Sequence, residues 1–104
     1  KIMIIYNVTV NVDESIAKEW LSWMQETHIP EVMTTGIFLK SQINRVITQD
    51  DTGSTFAIAY TCPSMKDLHQ YQINFATELQ QQHVARYGDK AVAFRTLMEV
   101  IQEY

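Results

Sequence analysis

The sequence predicts an α+β domain in which two strand–helix–strand units share one antiparallel sheet. Three observations carry this. Four segments alternate with the period of a strand, two stretches repeat apolar residues every three or four positions, and their order is strand, helix, strand, strand, helix, strand. The three glycines, Gly36, Gly53 and Gly88, all fall between these segments.

Residues Ile2 to Val12 form the first strand. Ile2, Ile4, Tyr6, Val8, Val10 and Val12 are apolar throughout, while the opposite parity (Met3, Ile5, Asn7, Thr9, Asn11) begins apolar and turns polar. Such a strand is expected to be covered on both faces over its first half. Asp13 is a natural N-cap, with Glu14 favourable at the positive helix end. The first helix then runs from Glu14 to about His28, with Ile16, Trp20, Trp23 and Thr27 along one face. Pro30 is expected to stop it, because a residue before proline is pushed out of the helical region. A further turn over Glu31–Thr35 would start on Pro30 and close at Gly36.

Ile37 to Thr48 is the second strand, polar at Lys40, Gln42 and Asn44 as an edge strand is. Gln49 to Ser54 is a hairpin turn in which Gly53 supplies positive φ. Thr55 to Cys62 alternates Phe56, Ile58 and Tyr60 against Ala57, Ala59 and Thr61, so a neighbouring layer must approach the small face closely. Ser64 followed by Asp67 resembles a capping box and opens the second helix. Met65, Leu68, Tyr71, Phe75 and Leu79 are its expected buried stripe, and it ends near Tyr87 with Gly88 as the cap. Ala91 to Ile101 is the last strand, with Val92, Phe94, Met98 and Val100 on one parity.

Two interleaved strand–helix–strand units with right-handed crossovers give the ferredoxin-like arrangement, strand order 4-1-3-2, with both helices on one face. The pattern leaves open which strand parity faces them. Both parities of the outer segments carry bulk: Met3 and Ile5 beside Ile4 and Tyr6, Leu97 and Ile101 beside Phe94 and Met98. Leaving such side chains in water forfeits about 1.5–3 kcal/mol each, so a homodimer packed sheet to sheet is expected.

Composition narrows the function classes. The 104 residues are expected to form one domain over 1–104, with 46% hydrophobic and 11% aromatic content. A net charge of −4 and no basic cluster argue against nucleic acid or an acidic membrane surface as partner. No apolar run approaches the ~18 residues of a membrane span. The single cysteine, Cys62, excludes an intrachain disulfide framework and suits a cytoplasmic protein. Three scattered histidines show no zinc spacing, no glycine-rich nucleotide loop is present, and no metal or cofactor is expected.

Several segments together carry a resemblance: Ile5 to Val10, Glu19-Trp20 to Met24, His28 to Val32, Gly36 to Phe38, His83 to Asp89 and Phe94 to Thr96. The chain resembles, over essentially its whole length, a bacterial domain-of-unknown-function family, DUF4286, within the dimeric α+β barrel superfamily. The resemblance implies that fold, a homodimer, and a ligand cavity between the sheet and its two helices. The superfamily includes cofactor-free monooxygenases, haem-degrading enzymes, isomerases and members without known activity; the family itself carries no established reaction.

The polar and aromatic residues that could line such a cavity are Tyr6, Asn7, Trp20, Trp23, His28, Tyr60, His83 and Arg95. His28 is either a charged helix C-terminal cap or an acid–base group at the cavity mouth. His83 continues the stripe of the second helix and needs a hydrogen-bond partner there, either as a satisfied core residue or as a base. His69, one residue off that stripe, is expected in solvent. Of Tyr6 and Asn7, one must face the helices and the other the dimer partner. Arg95 is expected to be a buried charge, paired with a carboxylate across the dimer or anchoring an anion. Trp20 and Trp23 are core, or a wall of a flat cavity.

Asn7 and His83 are similar in order to an asparagine–histidine pair of the haem-degrading members, whose third element, a downstream tryptophan, is missing here. The sequence is therefore read as a cytoplasmic homodimer holding a small, partly apolar molecule, or none, in its helix–sheet cavity. The alternative is a cofactor-independent monooxygenase or isomerase with His28 or His83 as base, haem degradation being the weaker possibility.

Overall fold

A computed structural model describes residues 2–48 and 52–104. Its strands are β1 (Ile4–Val12), β2 (Lys40–Arg45), β3 (Ser54–Cys62) and β4 (Ala91–Glu99). They form one antiparallel sheet in the order β2-β3-β1-β4, the expected 4-1-3-2 read from the other edge. The ladders place Tyr6 opposite Tyr60 and Leu97, and Val8 opposite Ile58 and Arg95. Directly opposed residues share a sheet face, so Tyr6, Val8, Tyr60 and Arg95 lie on one side. That side is the core: Ile4, Tyr6, Val10, Val12, Phe56, Ile58 and Tyr60 are buried beneath the helices. The even parity of β1 thus faces the helices, which the pattern alone left open. The hairpin turn expected over Gln49–Ser54 lies partly outside the described residues; within it Gly53 has φ +93, as expected.

The first helical rod is a tight 3-10 turn (Glu14–Ile16), α1 (Ala17–Trp23), a π turn (Met24–His28) and α2 (Ile29–Thr34). Asp13 caps it, accepting from the Ser15 backbone N–H at 2.9 Å. Pro30 does not stop it, contrary to expectation: Ile29 stays helical at φ −62°, ψ −43°. The preceding π turn bonds the Ile29 N–H back to the Met24 carbonyl, five residues away. That wider turn accommodates the proline ring and its missing donor. It also keeps a spacing of four in phase, so Trp20, Met24, His28 and Val32 all turn toward the sheet, where a pure 3.6-residue helix would drift off.

The second rod is α3 (Met65–Tyr71), a π turn (Gln72–Ala76) and α4 (Thr77–Tyr87). The Ser64 hydroxyl accepts from the Asp67 N–H at 3.2 Å and donates to its carboxylate at 2.7 Å, so the capping pair is present. Gly88, at φ +56, ends the rod. The expected buried stripe holds at Leu68, Tyr71 and Leu79 but not at Met65 or Phe75, which are exposed. The π turn adds a residue between Tyr71 and Leu79, rotating Phe75 outward and Ala76 into the core.

Candidate functional site

Between the sheet and the two rods lies a cavity of about 40 Å³, room for a few water molecules. Val10, Val32, Ile58 and Leu79 supply its apolar wall. Its polar lining comes from every layer: Tyr6 on β1, Tyr60 on β3, Arg95 on β4, His28 in the first π turn, and Tyr71, Gln80 and His83 on the second rod. Strand alternation aims the three sheet residues, and the helical stripes aim the others.

The hydrogen bonds define the state of these groups. The Trp20 Nε1–H donates to His83 Nε2 at 2.9 Å. An indole nitrogen can only donate, so His83 accepts at Nε2 and carries its proton on Nδ1 in the neutral tautomer. Burial, reinforced by Arg95, holds its pKa below the ordinary imidazole value. Burial, then His83 and Arg95, lowers His28 further, to about 4. The His28 Nδ1 is buried with no hydrogen-bond partner among the described residues. Both imidazoles are therefore neutral at pH 7. Trp23 stacks on His28 with ring centroids 5.1 Å apart, and the two imidazoles are 6.0 Å apart. On the sheet side, Arg95 Nε donates to the Tyr6 hydroxyl at 2.9 Å. Burial pushes the Tyr60 and Tyr71 phenols above their ordinary range, so both stay protonated donors.

Trp20→Phe removes a donor that favours the neutral form of His83, so the His83 pKa is expected to rise toward the ordinary imidazole value. Titration of the His83 Cε1–H resonance checks this, and an unmoved midpoint would mean that burial and Arg95 set the value without the indole.

Of the residues singled out from sequence, Tyr6, His28, Tyr60, His83 and Arg95 meet at the cavity. Trp20 and Trp23 stand behind it, one bonded to His83 and the other stacked on His28. Asn7 does not reach it. Strand alternation puts Asn7 on the opposite sheet face, where its Nδ2 donates to Thr9 Oγ1 at 3.0 Å. The asparagine–histidine pair that would mark haem chemistry is thereby split across the sheet. Arg95 is exposed in the single chain rather than buried, and within it the Nε meets the Tyr6 phenol. His28 is no charged helix cap: the rod continues past it and the ring is neutral. His69 is exposed, as expected. Tyr71, which the sequence places only on the apolar stripe, and Gln80, which it does not single out, also line the cavity; a polar tip on a helix that faces the sheet is the signal both carry.

No cluster of three or more His, Cys, Asp or Glu among the described residues could hold a metal ion. Cys62 is a buried free thiol with its sulfur 3.5 Å from the Ser64 carbonyl. No helix among the described residues is long and apolar enough to cross a membrane.

The family model described as "Domain of unknown function (DUF4286)" matches residues 3–101. The chain belongs to this family. No curated protein matches this DUF4286 chain. Its fold is similar to that of several solved structures at low sequence identity. A dimeric ferredoxin-like protein from an uncultured marine organism aligns with TM-score 0.68 and 12% identity over 100% of both chains. A Bacillus cereus protein assigned as an antibiotic biosynthesis monooxygenase aligns at 0.69 and 12%, over 100% of this chain and 98% of its own. A hydroxynitrile lyase from Passiflora edulis aligns at 0.66 and 8%, over 97% and 96%. At such identities the likeness concerns the fold, and one fold hosts unlike chemistries.

Proposed function

We propose that this DUF4286 protein is a cytoplasmic homodimer that binds a small, partly apolar molecule between its sheet and helices. The observation that carries the reading is the unpartnered His28 Nδ1, buried in an aliphatic-walled cavity that also presents tyrosine hydroxyls. Leaving a buried polar atom unpaired costs about 1–3 kcal/mol, which a bound molecule or water would relieve. Exposed Arg95 forms part of the lining, so the cavity can widen from about 40 Å³ by moving a side chain that is not locked in the core. Pairing of two copies rests on the outer sheet face. There Val92, Phe94 and Met98 are exposed at 61%, 64% and 43%, beside the low relief of Ala57 and Ala59. The free thiol of Cys62 fits a reducing compartment.

A second reading has its own support. His28, neutral at pH 7 and with its Nδ1 unpartnered, can accept a proton, as a cofactor-independent oxygenase or isomerase requires. Binding is tested first by histidine Cε1–H NMR during titration with small alcohols, ketones, carboxylates and amides. Saturable shifts are expected at His28 and His83, with exposed His69 as the internal control. Silence at both cavity histidines, or equal drift at His69, rejects the binding site. Deuterium exchange at the α-carbon of a bound ketone separates the enzyme reading from simple binding.

A further inference from the structure

Gln80 brings an amide with both a donor and an acceptor to this cavity; otherwise donors dominate its polar lining, and no carboxylate of the described residues lines it. The hydroxyls of Tyr60 and Tyr71 make no hydrogen bond to the described residues. Tyr6 accepts from Arg95 Nε and so keeps its own proton to donate. The remaining guanidinium nitrogens of Arg95 have no acceptor among the described residues. His83 accepts from Trp20 at Nε2, which leaves its Nδ1–H as a further donor. His28 supplies the one acceptor nitrogen that no protein group occupies. These groups act on one another: Arg95 bears electrostatically on His28, His83, Tyr60 and Tyr71, and Tyr6 on both other phenols.

Three hydroxyls and one guanidinium, converging without a counter-charge, are complementary to a planar oxyanion. The chain as a whole carries −4, so its overall charge does not draw anions to this spot; the local arrangement does. We infer that the helix–sheet cavity is an anion site that takes the carboxylate or enolate head of a small organic molecule, held by Arg95 and the hydroxyls of Tyr6, Tyr60 and Tyr71. The inference rests on the ligand-binding reading above and names its chemical class. The apolar part of the ligand lies against Val10, Val32, Ile58 and Leu79. The groups facing His28 are Tyr6 from β1, Tyr60 from β3, Tyr71 and His83 from the second rod, and Arg95 from β4; none is acidic. An anion there supplies the missing negative charge, so binding draws the His28 titration upward from its low position.

Acetate and acetamide, and then benzoate and benzamide, are pairs of nearly equal shape that differ in charge. Each is titrated into the protein while histidine Cε1–H and tyrosine ring resonances are followed. The carboxylate of each pair is expected to bind at least tenfold more tightly than its amide, and acetate to raise the His28 midpoint. Arg95→Gln is expected to bring carboxylate and amide within about threefold of each other, and Tyr60→Phe to weaken the carboxylate severalfold while leaving the fold intact. Amides that bind as well as carboxylates overturn the anion site and leave a neutral-ligand cavity standing. Preserved carboxylate preference in Arg95→Gln overturns it too. If neither member of either pair moves the cavity resonances, the binding reading falls with it.

Discussion

Phe94→Glu is expected to leave a folded monomer of 12.1 kDa, and the parent chain to form the proposed dimer of twice that mass. Phe94 lies on β4 opposite Thr9, on the face turned away from the helices, and is 64% exposed in the single chain. Removing it therefore costs the protomer's own core little, and circular dichroism should be unchanged. In a two-fold dimer every substitution occurs twice. At about 1.5–3 kcal/mol per phenyl the interface loses roughly 3–6 kcal/mol, a weakening of about 10²–10⁴-fold, and two buried carboxylates would add to that. Light scattering at micromolar protein reads the result. Ile73→Glu, at an exposed position in the π turn of the second rod, serves as a control that keeps the parent mass. A parent chain that is itself monomeric, or a Phe94→Glu variant that remains dimeric, rejects sheet-to-sheet pairing.

Stability should fall steeply between about pH 6.5 and 4, and His28 should carry a large part of the loss. Its folded pKa is depressed from 6.5 to about 4, chiefly by burial. Between those values the unfolded chain takes up a proton that the folded chain refuses, so stability rises with pH through the window. The contribution is complete above about pH 6.5 and is lost progressively as pH falls through the folded value. A displacement of roughly 2.5 units corresponds to about 3 kcal/mol. His83 is displaced in the same direction and steepens the slope. Urea midpoints at fixed protein concentration, taken at pH 7.5 and 4.5, measure it. His28→Gln, which cannot titrate, should lose less stability than the parent over that interval by most of this amount. Parallel pH profiles for the two proteins would show that His28 protonates freely in the folded state.

Much of the fold was legible because its signals are local. Asp13 and the Ser64–Asp67 pair announced the helix starts, Gly88 announced an end, and alternation announced four strands within a few residues of their observed bounds. Two departures trace to the two π turns, which the 3.6-residue period and the rule for residues before proline do not anticipate. Pro30 consequently sits inside a continuous rod, and Phe75 yields its inward place to Ala76. Nothing in the local pattern marks a π turn, which is favoured by how the rod must lie on the sheet.

The site was legible in its membership more than in its chemistry. Tyr6, His28, Tyr60, His83 and Arg95 stand out as polar groups on apolar faces, and their spacing places them on elements that share one layer boundary. Asn7 stood out for the same reason and belongs elsewhere, because parity alone does not say which face of β1 the helices cover.

The order of elements, and with it the sheet order, follows from the amino-acid pattern, since short-range periodicity and right-handed crossovers leave few alternatives. The protonation state of the two histidines and the donor-rich character of the cavity come from the folded arrangement. Those depend on burial and on neighbours far apart in the chain, Tyr6 beside Arg95 and Trp20 beside His83, and a pKa is set by such surroundings rather than by the residue's place in the sequence.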